Sequence, residues 1–198
     1  MNIMIKPIGP KPQQAKLLCQ QYWERVLNGA KTLEQEAVTH HENLTHVNSS
    51  AILRTYPTWF TNKELREIII QSDKEFKMLK PLEKDITLWR GVSEPVIMEQ
   101  KRFMKSFDKA YETKKGDVIF MSEYPYASDE KNYAEIYSSY GYKGIFYEIQ
   151  VPKGAKVSKT WAYVFPRYSK FECIGTEENK VQDRTIKLIK LKYLLPKE

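Results

Sequence analysis

Between residues 86 and 194 the apolar residues come in short alternating runs: "ITLWR" (86–90), "DVIFMS" (117–122), "GIFYEIQV" (144–151), "AKVSKTW" (155–161), "KFECI" (170–174) and "RTIKLIKLKYL" (184–194). Parallel neighbours need a crossover of a dozen residues or more, usually a helix. The gaps between the last three runs are too short for one. This half of the chain therefore has to build an antiparallel or mixed sheet. Two helices are expected to interrupt the strands. Ser93 can cap one from about Glu94 to Tyr111, and Ser128, followed by Asp129 and Glu130, can start another carrying Tyr133, Ala134 and Tyr137.

The preceding residues have helical spacing instead. Ala15, Leu17, Leu18, Tyr22, Val26 and Leu27 share a period near 3.6 over 13–28, with Gly29 closing the run, and a second helix follows from about Thr32 to His46. "TNKE" (61–64) is a capping box ahead of Leu65, Ile68, Ile69, Phe76 and Leu79. Helices first and strands after predict the α+β class. The expected organisation is one domain over 1–198, with a helical lobe over 1–80 and a β-rich body over 81–198.

With 198 residues and 41% hydrophobic content, the chain is large enough for a sizeable core. Its formal charge of +7 favours polyanionic partners such as nucleic acid, acidic protein surfaces or phosphate-bearing ligands, and equally fits a lysine-rich solvated surface. Two cysteines, Cys19 and Cys173, provide neither a disulfide framework nor a metal site, and His40, His41 and His46 do not share a helix face suited to one. The start, "MNIMIKPIGPKPQQ", lacks the apolar run of a signal peptide, and no stretch approaches 18 apolar residues. These features predict a soluble cytoplasmic protein with no membrane partner and no metal.

Three polar residues interrupt the strand pattern. Ile86, Leu88 and Arg90 share a face, so an arginine finishes an apolar row and needs a carboxylate or an anionic ligand there. Gly91 behind it leaves room for close approach to the backbone. Ser122 continues the row of Val118 and Phe120, and its hydroxyl needs a partner. In "YSKFECI", Phe171 and Cys173 share one face while Glu172 lies opposite, beside Ile174. A glutamate inside a short apolar strand is either an arginine's ion-pair partner or part of a site.

An arginine, a serine and a glutamate on three successive β segments resemble the ADP-ribosyltransferase superfamily of the Arg-Ser-Glu class, with its toxin and phage-encoded mono-ADP-ribosyltransferases. The resemblance spans about residues 60–193. "PLEKDITLWRGV" is similar to the family's strand ending in Arg-Gly. "FMSEY" stands at its aromatic-x-Ser-Thr-Ser motif, with Glu123 and Tyr124 replacing the Thr and the second Ser. "YASDEKNYAEIY" resembles the helix that follows, and "GIFYEIQVPKGAKV" the strand ending in a Val-Pro-x-Gly turn. "KFE" stands at Glu-x-Glu or Gln-x-Glu, with Lys170 at the acceptor-directing position.

The resemblance implies a two-sheet β core of mixed and antiparallel strands, NAD as substrate and release of nicotinamide. It assigns Glu172, Ser122 and Arg90 as catalytic, with Glu178 as the alternative carboxylate. Arg90, Gly91, Ser122, Phe120 and Tyr133 are the expected NAD contacts. Phe165, Arg167, Tyr168 and Lys170, in a segment that also holds Trp161 and Tyr163, are the expected contacts to a protein or nucleic-acid acceptor. Two other functions fit the same residues: an NAD glycohydrolase on this fold, or a non-enzymatic basic module that binds nucleic acid or an acidic protein.

Overall fold

The computed structural model describes residues 63–94, 107–121, 123–159 and 162–196. The expected helices over 13–28 and 32–46, the cap at Thr61, Ser122 and Trp161 lie outside the described residues. Among those described, helix α1 (Lys63–Met78) precedes strand β1 (Ile86–Ser93), and helical residues 107–111 precede β2 (Val118–Met121) and β3 (Tyr126–Ala127). Helix α2 (Lys131–Ser138) follows, then β4 (Lys143–Val151), β5 (Ser158–Lys159), β6 (Tyr163–Val164), β7 (Ser169–Val181) and β8 (Arg184–Leu194).

Five strands form one sheet in the order β1-β4-β8-β7-β2, and β3-β6-β5 form a second. In the larger sheet β4 and β8 are parallel while the other three neighbouring pairs are antiparallel, so the sheet is mixed, as expected for this α+β chain. Side-chain alternation gives that sheet two different faces. Its inner face carries Leu88 on β1, Tyr147 and Ile149 on β4, Ile189 and Leu191 on β8, and Phe171 and Cys173 on β7. These pack with Ala127, Val157 and Phe165 from the side of the smaller sheet into the main core.

The outer face is partly covered by α2. Ala134 of the helix forms a second cluster with Phe146, Ile186 and Leu188, against which Trp89 packs. β4 is therefore buried on both sides, which explains its nearly continuous apolar run. The helix comes unusually close because of two glycines. A Cβ at Gly91 would lie 1.9 Å from the Ala134 carbonyl oxygen, and one at Gly144 would lie 1.8 Å from that of Ser138.

One local expectation, the cap at Ser128, is corrected by this packing, while the helix expected from about Glu94 to Tyr111 has residues 95–106 outside the described residues. Ser93 serves the end of α2: its hydroxyl donates to the Tyr137 carbonyl and accepts from the Tyr140 N–H. Ser128 does not cap α2, whose N-cap is Glu130: its backbone pairs with Trp89 and its hydroxyl accepts from the Glu130 N–H at 2.9 Å, one turn ahead of the helix. "TEENK", which lacks any apolar row, belongs to β7, since its backbone pairs with Thr185–Ile189 of β8 regardless of side-chain type. The Gln182-Asp183 turn between these strands has Gln182 at φ 59°, a left-handed conformation that suits a two-residue hairpin.

Helix α1 buries Ile69, Ser72 and Phe76, spaced three and four apart, and its apolar residues cluster with Tyr124 and Val164. The Phe76 and Tyr124 rings stack with centroids 5.4 Å apart. α1 is thereby attached to the segment that leads into β3.

Replacing Gly91 or Gly144 by alanine is expected to destabilise the fold by about 1–3 kcal/mol, the usual cost of overpacking, because a helix backbone cannot move aside as a side-chain tip can. Gly175→Ala is the control, since its new Cβ would meet only Lys190 Cδ at 3.9 Å. Urea unfolding of the three variants measures the difference.

Candidate functional site

Arg90 lies on the inner face of β1, opposite Tyr147 of β4 and at the place where the smaller sheet meets the larger. Its Nη1 donates to the Tyr126 carbonyl at 3.0 Å, and the Glu123 carboxylate lies 3.8 Å from Nη2. The Arg90 side chain is 14% exposed and that of Glu123 27%, so the pair sits at the rim of the core within reach of a ligand. Tyr147 is buried beneath them. Burial pushes its phenol up to about 12, with Arg90 acting in the opposite sense and Glu123 reinforcing the rise.

The backbone that follows Glu123 is firmly placed. Tyr124 is fully buried and donates its hydroxyl to Asp73 at 2.7 Å; burial first, and then this carboxylate, hold its phenol well above the ordinary value. The Pro125 carbonyl accepts from the Phe165 N–H at 2.9 Å. Asp73 of α1 is also bound by Arg167, through Nε to Oδ1 at 3.1 Å and Nη2 to Oδ2. A two-pronged ion pair and a phenol thus tie α1 to both flanks of the smaller sheet.

The expected site residues do not all converge. Glu172 is in register with Val118 and Lys192, which puts it on the outer face, while Cys173 and Leu191 occupy the inner face that Arg90 shares. Arg90 and Glu172 therefore face opposite sides of one sheet, three strands apart. Phe120, in register with Lys170, is exposed on that outer side. Tyr133 is exposed on α2, the helix that covers part of it. Gly91 also faces α2, and close helix packing accounts for its missing side chain.

Glu178 does share the inner face with Arg90, being in register with Lys187 and through it with Ile145 and Val92. It is nevertheless three strand spacings away, about 14 Å. Its Oε1 accepts the Tyr111 hydroxyl at 2.9 Å, and burial followed by this contact raises the Tyr111 phenol well above its usual value.

The expected acceptor contacts also divide. Phe165 is fully buried against Phe171 and Tyr193, with centroids 5.2 and 5.1 Å away, and is a core residue. Arg167 is engaged with Asp73 as described. Tyr168 is exposed, adopts φ 63°, and lies between the Arg167 guanidinium at 4.8 Å and the Phe120 ring at 5.7 Å. Lys170 is exposed on the outer face. Tyr163, half-buried, lies under the Lys159 ammonium at 4.7 Å.

The sequence reading missed the strand that actually adjoins Arg90. This is β3, and "YPYAS" (124–128) repeats the aromatic-x-Ser-Thr-Ser spacing four residues after Phe120, with Tyr126 and Ala127 at the first two hydroxyl positions and Ser128 at the last. Its neighbour β6 presents Tyr163 and Val164 after Ala162, with no carboxylate among the three. Among the described residues no group of three or more His, Cys, Asp or Glu could hold a metal ion, and no helix is long and apolar enough to cross a membrane.

No protein-family model and no curated protein sequence matches the chain. Solved structures do. Plx2a, an ADP-ribosyltransferase toxin from Paenibacillus larvae, superposes with a TM-score of 0.55 at 13% identity, covering 96% of this chain and 100% of that one. C3larvin, an ADP-ribosyltransferase toxin from the same organism, gives 0.54 at 15% identity over 83% and 94%. Vis toxin, an ADP-ribosyltransferase from Vibrio splendidus, gives 0.54 at 14% identity over 96% and 89%. The chain has the ADP-ribosyltransferase fold, in the form seen in bacterial mono-ADP-ribosyltransferase toxins.

Asp73→Asn and Arg167→Met are each expected to cost about 1.5–3 kcal/mol of stability, the range for hydrogen bonds to charged groups. The double variant should cost less than the sum, a coupling that urea unfolding of the four proteins measures.

Proposed function

We propose that the protein transfers ADP-ribose from NAD to a macromolecular acceptor and releases nicotinamide, with Arg90 holding the NAD pyrophosphate. The observation that carries this reading is Arg90 itself: a guanidinium on a rigid strand, oriented by the Tyr126 carbonyl and open to solvent at one edge, within an ADP-ribosyltransferase fold. Its planar fork matches phosphate oxygens in a way a lysine ammonium does not. The fit is between the fixed cation and the dianionic pyrophosphate; NAD supplies the nicotinamide–ribose bond that is broken. Phe120 and Tyr133 are not drawn into this site, since both are exposed away from Arg90. The acceptor is a protein side chain or a nucleic-acid group.

A second reading, NAD binding without transfer, is favoured by one observation: Glu172 faces away from Arg90. The chain would then use the fold as a dinucleotide-binding module.

Incubation with NAD labelled in its adenylate half, in the presence of a cell lysate, is expected to label a macromolecule. Sensitivity of that label to protease or nuclease identifies the acceptor class. Arg90→Lys should weaken NAD binding about 10- to 100-fold by calorimetry, the scale of a lost charge-assisted double hydrogen bond. Binding with no nicotinamide release would establish the second reading, and absence of NAD binding would exclude both.

A further inference from the structure

We propose that Glu123 is the carboxylate of the Arg90 site, the residue that supports charge on the nicotinamide ribose; the inference rests on the transfer reading above. Breaking the nicotinamide–ribose bond sends the bonding electron pair out with neutral nicotinamide and leaves positive charge on the ribose C1′ and ring oxygen. The acceptor's nucleophile then donates a pair to C1′ and gives up its proton to solvent. A fixed anion beside that sugar lowers the barrier, because it interacts more strongly with the charged transition state than with the ground state.

Glu123 meets the geometric requirements that Glu172 and Glu178 do not. Its carboxylate is 3.8 Å from Arg90 Nη2, on the same side of the sheet, whereas Glu172 faces the other side and Glu178 is three strands away and bonded to Tyr111. At 3.8 Å the contact to Arg90 is too long for a strong hydrogen bond, so the carboxylate oxygens remain available for a sugar hydroxyl. It is 27% exposed, enough for a ligand to touch it while the adjoining Tyr124 and Pro125 stay buried and fixed. Preorganisation of this kind is what makes a charge useful at the moment of bond cleavage.

The arrangement also fits the size of one nucleotide. A phosphate bound to Arg90 carries its own ribose a few ångströms away, and Glu123 is the neighbouring carboxylate at that range. The two residues would therefore contact adjacent parts of the same half of NAD. Glu123 acts on the sugar while Arg90 holds the phosphate.

The test uses the full chain and its Glu123→Gln, Glu123→Asp, Glu172→Gln and Glu178→Gln variants, measuring nicotinamide release from NAD by chromatography, NAD affinity by calorimetry and thermal unfolding. Glu123→Gln is expected to lower release by at least about 100-fold, the loss of a few kcal/mol of transition-state stabilisation, with affinity changed less than about 3-fold. Glu123→Asp should recover part of the rate, and the Glu172 and Glu178 variants should keep it. Near-normal release by Glu123→Gln, or a loss of rate that merely follows loss of folded protein, overturns the assignment while leaving the transfer reading intact. A wild-type chain that releases no nicotinamide overturns the transfer reading, and the assignment with it.

Discussion

The backbone of α2 rests directly on Gly91 and Gly144, and this contact decides which side of the large sheet is available for a site. With the helix on the outer face, Phe146, Ile186 and Leu188 become a second core layer and the central strands are closed on both sides. The inner face is then free to meet the smaller sheet, and Arg90 falls where the two sheets join. Gly91 and Arg90 are adjacent in sequence but serve opposite faces: one admits a helix and the other receives β3. An alanine at 91 would act on Arg90 indirectly, by shifting the strand that carries it.

A second constraint holds the other side of the junction. Asp73 accepts from both Tyr124 and Arg167, so one carboxylate joins α1, the segment before β3 and the segment before β7. This pair is only partly buried, and its value is geometric as much as energetic, because a two-pronged guanidinium contact fixes orientation as well as distance. Tyr124 could not turn outward without leaving Asp73 and exposing a large ring. The position of Glu123, one residue earlier, follows from that anchoring.

Much of this was legible in the sequence, and the failures have specific causes. The change from helical to strand spacing predicted the α+β class, and the row Ile86, Leu88, Arg90 lies on one face of β1 as its alternation implied. The sequence also placed Phe171 and Cys173 on one face and Glu172 on the other. Missing was the knowledge that β1 and β7 lie in the same sheet with their apolar rows on the same side, which commits Glu172 to the far face. Strands β3, β5 and β6 have two residues each, too few for any period to show, so the strand beside Arg90 was legible only through the spacing of "YPYAS". A glycine beside an arginine looks the same whether its neighbour is a ligand or a helix backbone.

The pairing of Arg90 with Glu123 gives the site a polarity that neither charge has alone. A phosphate arriving at Arg90 meets a cation already oriented by the Tyr126 carbonyl, but it also meets a nearby anion that repels it. The repulsion is reduced if the carboxylate turns toward the sugar as the phosphate takes its place, and that is the direction in which it would stabilise developing positive charge. On the proposed reading, binding and bond cleavage would be coupled through one side chain. A neutral residue at 123 would leave the anchor able to hold a phosphate but make it a poorer place to break a glycosidic bond, because the charge on that side chain matters more to the transition state than to the ground state.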